Sequence, residues 1–156
     1  MNDWIDRMAE NYEPKDKRLQ REKDIRLHDA SVIKSKAPQF WDSLIERLKS
    51  DSARLSEKFS DNTARQCSVT NFAGHWEIRG RKMPARILRM RLDPEGQIVY
   101  IDVVEQADRG KENAVGSEQI KITVNGDEEL EWVFSGQRYS SASELSRALI
   151  SEVISQ

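Results

Sequence analysis

The spacing of apolar residues changes its period part-way along the chain. Phe40, Trp41, Leu44, Ile45, Leu48, Leu55 and Phe59 recur at i, i+3, i+4, i+7, with Ser52 filling the one weak position, which predicts an amphipathic helix over 38–60. Pro38 suits the first turn of that helix. Upstream, Trp4, Ile5, Met8 and Tyr12 predict a short helix over about 3–12, with Asn2 or Asp3 placed to cap it and Pro14 to end it. Between the two, Lys15 to Lys36 is helical by propensity, but Leu19, Ile25, Leu27, Val32 and Ile33 make only a thin, irregular stripe among charges. Such a helix buries little against its own chain.

Beyond residue 67 the period becomes two. Thr70, Phe72, Gly74, Trp76 and Ile78 share one face of a strand expected over about 68–78, which meets a strand over 84–92 through a basic loop. Leu88, Met90 and Leu92 precede Asp93-Pro94-Glu95-Gly96, a type I turn sequence, and Val99, Ile101 and Val103 follow it. Pairing Leu92 with Gln97 makes one face apolar and sets Arg89 opposite Tyr100 and Ile87 opposite Asp102 on a face that can meet water. Around Asn125-Gly126-Asp127, a three-residue turn pairs Ile122 with Leu130 and Ile120 with Trp132. Ser141 and Glu144 have capping-box spacing ahead of Leu145, Ala148, Leu149 and Val153, so a helix closes the chain. The expected fold is α+β: N-terminal amphipathic helices, an antiparallel sheet of about five strands built from hairpins, and a C-terminal helix packed on one sheet face. The expected division is a helical arm or subdomain over 1–62 and a sheet with its helix over 63–156.

Glycine usage sharpens that division, because all seven glycines lie beyond residue 73, where tight turns are needed. With 37% hydrophobic and 33% charged residues in 156, the chain is polar for one compact globule, which an elongated helical part explains. The net charge of −2 provides no overall field to draw it to nucleic acid or to an anionic membrane. Cys67 is the single cysteine, which excludes an internal disulfide framework. No apolar run is long enough for a membrane span, and the acids in Met1-Asn2-Asp3-Trp4-Ile5-Asp6 do not suit a signal peptide, so the expected location is cytoplasmic, with no membrane partner.

The inventory for catalysis is thin. His75 and Glu77 share one face of a strand, without a third ligand for a metal. Gly110 to Ser117 carries glycines and Lys111, but not in the order of a phosphate loop, and 106–117 reads as a long connection suited to contacts. No cofactor is implied. The sharpest local anomaly is electrostatic: Arg79, Arg81, Lys82, Arg86, Arg89 and Arg91 occur without an acid between them, and with Tyr100 they form a candidate anion or nucleic-acid patch. The second candidate surface is a protein interface formed by Trp41, Leu44, Ile45, Leu48, Leu55 and Phe59. The stretch from Trp132 through Gly136 and Ser141 to Leu145 resembles the strand, turn and serine-capped helix of small modules associated with DNA modification systems; the resemblance assigns no residue a role.

The excess of amphipathic helix over available sheet favours a non-enzymatic interaction or regulatory protein, self-associating through its helices or binding another protein. A nucleic-acid accessory module using 79–91 is the alternative, and a small enzyme around His75 and Glu77 the third.

Overall fold

In the computed structural model, which describes residues 3–108 and 110–154 (Glu13 by its backbone alone), the helical half is one element. Helix α1 runs unbroken over Asp3–Lys58, with Pro14 and Pro38 inside it. Asn2, one of the two expected caps, lies outside the described residues. Proline removes one i→i−4 bond and usually kinks or ends a helix. Pro38 is exposed, whereas Ile33, Ala37 and Trp41 around it are buried, so packing holds both flanks in helical register and the freed carbonyl lies on the wet side. Around Pro14 the described side chains are all exposed, and its freed carbonyl likewise meets water.

A single 3-10 turn over Thr63–Arg65 leads into β1 (Cys67–Phe72), β2 (His75–Gly80), β3 (Ala85–Leu92), β4 (Ile98–Gln106), β5 (Glu112–Val124), β6 (Leu130–Phe134), β7 (Gln137–Tyr139) and α2 (Ala142–Val153). The seven strands form one antiparallel meander in chain order. Two hairpins account for the strands beyond the expected five. Ala73 and Gly74 both take positive φ (50° and 87°), as do Ser135 and Gly136 (50° and 76°), the requirement of a two-residue type I′ turn. The first splits the strand expected over 68–78; the second adds β7 ahead of α2.

Both expected hairpin registers are corrected by two residues. Leu92 pairs with Val99, Met90 with Ile101 and Leu88 with Val103, because the turn closes through Asp93 N–H to Ile98 C=O (2.9 Å), with Gly96 at φ 75° and Gln97 outside the ladder. Val124 pairs with Leu130 and Ile122 with Trp132, because Asn125 to Glu129 form a longer turn in which the Asn125 Oδ1 accepts from Asp127 N–H (2.9 Å) and Glu129 N–H (3.0 Å). A two-residue shift leaves the side chains of these two hairpins on their expected faces. Thr70 and Phe72, expected to share a face with Trp76 and Ile78, pair instead with Glu77 and His75 on the other face, because the chain reverses at Ala73 and Gly74. The expected connection over 106–117 is also mostly strand: the chain reverses between Ala107 and Lys111 (N–H to C=O, 3.0 Å), and β5 starts at Glu112, with a bulge opposite Val103 and Val104.

One sheet face, with Ile78, Leu88, Met90, Val99, Ile101, Ile120, Ile122 and Trp132 all buried, is covered by α2 and the C-terminal half of α1. Phe40 stacks on Trp132 with ring centroids 4.2 Å apart. Ser141 caps α2, its hydroxyl accepting from Glu144 N–H at 3.2 Å. The two helices are clipped together by the Ser146 hydroxyl donating to Asp51 (2.8 Å), which also holds Arg47. Two glycines allow close approach: a Cβ on Gly96 would lie 2.7 Å from that of Ala37, and one on Gly80 would overlap the carbonyl of Val153.

Candidate functional site

The face of the sheet away from the helices carries the basic segment, and the register decides what it can do. Arg79 and Arg89 point to this face beside Glu77, which is buried. Arg89 Nε donates to Glu77 at 2.6 Å and its Nη2 to Glu112 at 2.9 Å; Arg79 lies 3.4 Å from Glu77 and 3.5 Å from Glu112, and also donates to Gln106. Arg79 is on β2 and Gln106 on β4, so their contact passes over β3 and covers Ala85 and Ile87, which are 1% and 0% exposed. Ile87 therefore lies under a lattice of ion pairs instead of facing water, and it sits opposite Val104, not Asp102.

Electrostatics follow the geometry. Burial pushes the Glu77 carboxyl up, but the hydrogen bond and charge of Arg89, with Arg79 behind it, outweigh this and hold it below the ordinary glutamate value. The bond to Glu77 in turn raises the Arg89 guanidinium.

The remaining bases are dispersed. Arg86 points to the other face, 3.8 Å from Glu152 on α2. Arg81 donates to the Gln66 side chain at 3.1 Å, and Lys82 is exposed in the β2–β3 loop. Tyr100 is stacked by Arg91 at 4.8 Å, not by Arg89, whose cross-strand partner is Asp102. Two of the six bases thus share acids on the outer face, and a third is on the opposite side of the sheet. The acids came from outside the 79–91 window, which is why a count along the chain missed them.

No protein-family model, curated protein or solved structure matches the chain. The site must therefore be read from its own geometry.

Trp41, Leu44, Ile45 and Leu48 lie in the core between α1 and the sheet, Leu55 packs at its margin, and Phe59 is half-buried with the Arg65 guanidinium 5.3 Å from its ring. The exposed apolar surface of α1 is elsewhere. Every described side chain from Asp3 to His28 is exposed, and Trp4, Ile5, Met8, Tyr12 and Leu19 are 66%, 46%, 46%, 52% and 52% accessible. At 100° per residue these five project on the same face as Ala37, Leu44 and Leu48, so an apolar row aligned with the core-facing stripe runs for about 22 Å along the exposed part of α1. The helix leaves the body beside the β5–β6 turn, where His28 Nε2 meets Glu128 at 2.7 Å, holding that carboxyl low, and Lys36 donates to the Glu128 carbonyl at 2.8 Å.

Two further places have chemical character. Between α1 and α2 an open groove of about 520 Å³ has Leu55, Ile150 and Ile154 along it, with Arg54, Lys58 and Arg147 at its rim. His75 stands edge-on to Phe72 at 5.9 Å, with its Nε2 buried and unbonded, on the same face as Glu77. Among the described residues no group of three His, Cys, Asp or Glu is placed to hold a metal, and no helix is long and apolar enough to cross a membrane. Cys67 is buried; burial, with Asp51 adding to it and Arg81 opposing, pushes its thiol from 9.0 to about 11.

Proposed function

We propose that this chain is a non-enzymatic protein-interaction module that self-associates through the N-terminal part of α1. The observation that carries this reading is the exposed row of Trp4, Ile5, Met8, Tyr12 and Leu19, on the same face of the helix as the stripe that forms the core. Isolated exposed apolar side chains are ordinary, but a row of them aligned on one helix face fits a partner helix. Burying each of the larger ones stabilises a complex by about 1.5–3 kcal/mol before association entropy is counted.

Sedimentation velocity over a wide dilution series tests it, on the full chain and on a variant with Trp4, Ile5, Met8 and Tyr12 changed to serine. The full chain is expected to associate reversibly, and the variant to remain monomeric with its sheet and core intact by near-ultraviolet circular dichroism. A full chain that stays monomeric at every concentration overturns the reading.

A further inference from the structure

We infer that the partner is a second copy of this chain and that the two helices pair antiparallel over residues 4–27, with the two bodies at opposite ends of the rod; this rests on the self-association proposed above. The orientation follows from how charge is distributed along the exposed part of α1. Residues 3–12 hold three acids (Asp3, Asp6, Glu10) and one base (Arg7), whereas 15–26 hold six bases and three acids. The seam changes character in step. In the first segment the stripe carries Trp4, Ile5, Met8 and Tyr12; in the second it carries Lys15, Leu19, Glu22, Lys23 and Arg26 at the same angular positions, so one apolar residue stands among four charged ones.

A parallel pair would set Lys23 against Lys23 and Arg26 against Arg26 inside the seam, and would abut the two acidic ends as well. Like charges juxtaposed in an interface are strongly disfavoured. An antiparallel pair centred between Lys15 and Asp16 does the reverse. Tyr12 meets Leu19, Met8 meets the Lys23 stem, and Arg26 reaches Trp4 and Ile5, where a guanidinium over the Trp4 ring adds a cation–π contact. The charged ends of Lys23 and Arg26 then emerge beside the acidic end of the other copy. The described side chains over 4–27 are exposed, with Arg26 at the margin of the body beside Gln97, Ile98 and Lys121, so a paired length of about 36 Å is accessible. The interface is isologous and closed, which limits assembly to a dimer.

Spin labels placed singly on the full chain at Arg7→Cys and Asp16→Cys read the arrangement directly, the buried Cys67 thiol being shielded from the label. In the antiparallel dimer the Asp16 labels lie about 10 Å apart across the helix pair. The Arg7 labels are separated by about 25 Å along the axis. A dimer with both distances short is parallel, which overturns the inference and leaves self-association standing. A dimer with neither pair coupled is joined elsewhere, for example by the acidic end of one copy in the groove between α1 and α2 of the next, and also overturns it. A chain that stays monomeric removes both proposals. As a second arm, Lys23→Glu with Arg26→Glu is expected to weaken the dimer by at least about tenfold, and an undiminished dimer defeats the charge argument.

Discussion

The guanidinium of Arg79 on β2 reaches the side-chain amide of Gln106 on β4 across the whole width of β3. An apolar pair, Ala85 and Ile87, is thereby kept dry on a face that has no helix over it. The long Arg79 stem supplies cover and its charge supplies the anchor, and substitution separates the two. Arg79→Ala is expected to cost about 1–3 kcal/mol by urea denaturation, and Arg79→Met, which keeps most of the stem, less than half of that. Equal losses for the two would show that the charge alone matters.

Glu77 makes the same lattice sensitive to acid. Its folded-state affinity for a proton is below that of the unfolded chain, so its contribution is complete above the ordinary glutamate value of about 4.3 and is lost as pH falls through the depressed folded value. Glu77→Gln should lower stability at neutral pH by about 1–3 kcal/mol, since Arg89 keeps Glu112. It should also flatten the decline of stability below about pH 4.5, read from denaturation midpoints across an acid series. An unchanged acid limb would assign that decline to other carboxylates.

Gly80 is required for space and not for conformation. Its φ is ordinary, but a methyl there meets the carbonyl of Val153, a backbone atom that moves only if the end of α2 moves. Gly80→Ala is expected to destabilise by about 1–3 kcal/mol and to raise hydrogen exchange at the C-terminal end of α2 first.

At Ala73 the direction reverses. Ala73 holds φ 50° in the β1–β2 turn, a conformation that alanine adopts with strain and asparagine tolerates. Ala73→Asn should therefore stabilise the protein by about 0.5–1 kcal/mol in the same urea assay.

Cys67 should be inert in the folded chain. With its thiol held at about 11, little thiolate exists at pH 8, and burial blocks access as well, so alkylation should proceed only as the chain unfolds. Because the folded value is raised, this group's contribution to stability is complete below the ordinary thiol value and is lost as pH rises towards 11. Rapid native-state labelling at pH 8 would contradict the burial.

Sequence periodicity fixed side-chain faces better than it fixed pairings. Met90, Ile101, Ile122 and Trp132 were all legible as one apolar layer, because alternation determines which way each side chain points. The same alternation is satisfied by any register differing by two, so turn length had to decide. Neither the Gly96–Gln97 extension nor the five-residue Asn125 turn announces its length in its composition. The turns at Ala73-Gly74 and Ser135-Gly136 escaped because only one residue of each pair is glycine, and tertiary pairing imposes positive φ on the other. The prolines misled for a related reason: a helix start inferred from Pro38 assumes that nothing else holds the chain, whereas Ile33, Ala37 and Trp41 clamp it from the side. The basic segment was legible as charge but not as a lattice, since Glu77 and Glu112 are brought to Arg89 by strand order alone.

The continuous course of α1 through Pro14 and Pro38 sets how its exposed end becomes ordered. Starting a helix is the costly step, with a nucleation constant of order 10⁻³, whereas each further residue is near neutral. In α1 the turn around Ala37 and Trp41 is locked by the core, so residues towards Asp3 add to a helix already begun. Heating should unravel it from Asp3 inward, long before the sheet yields. In the pairing proposed above, a partner would meet a helix extended from a folded base, with most of the ordering done before the two surfaces touch.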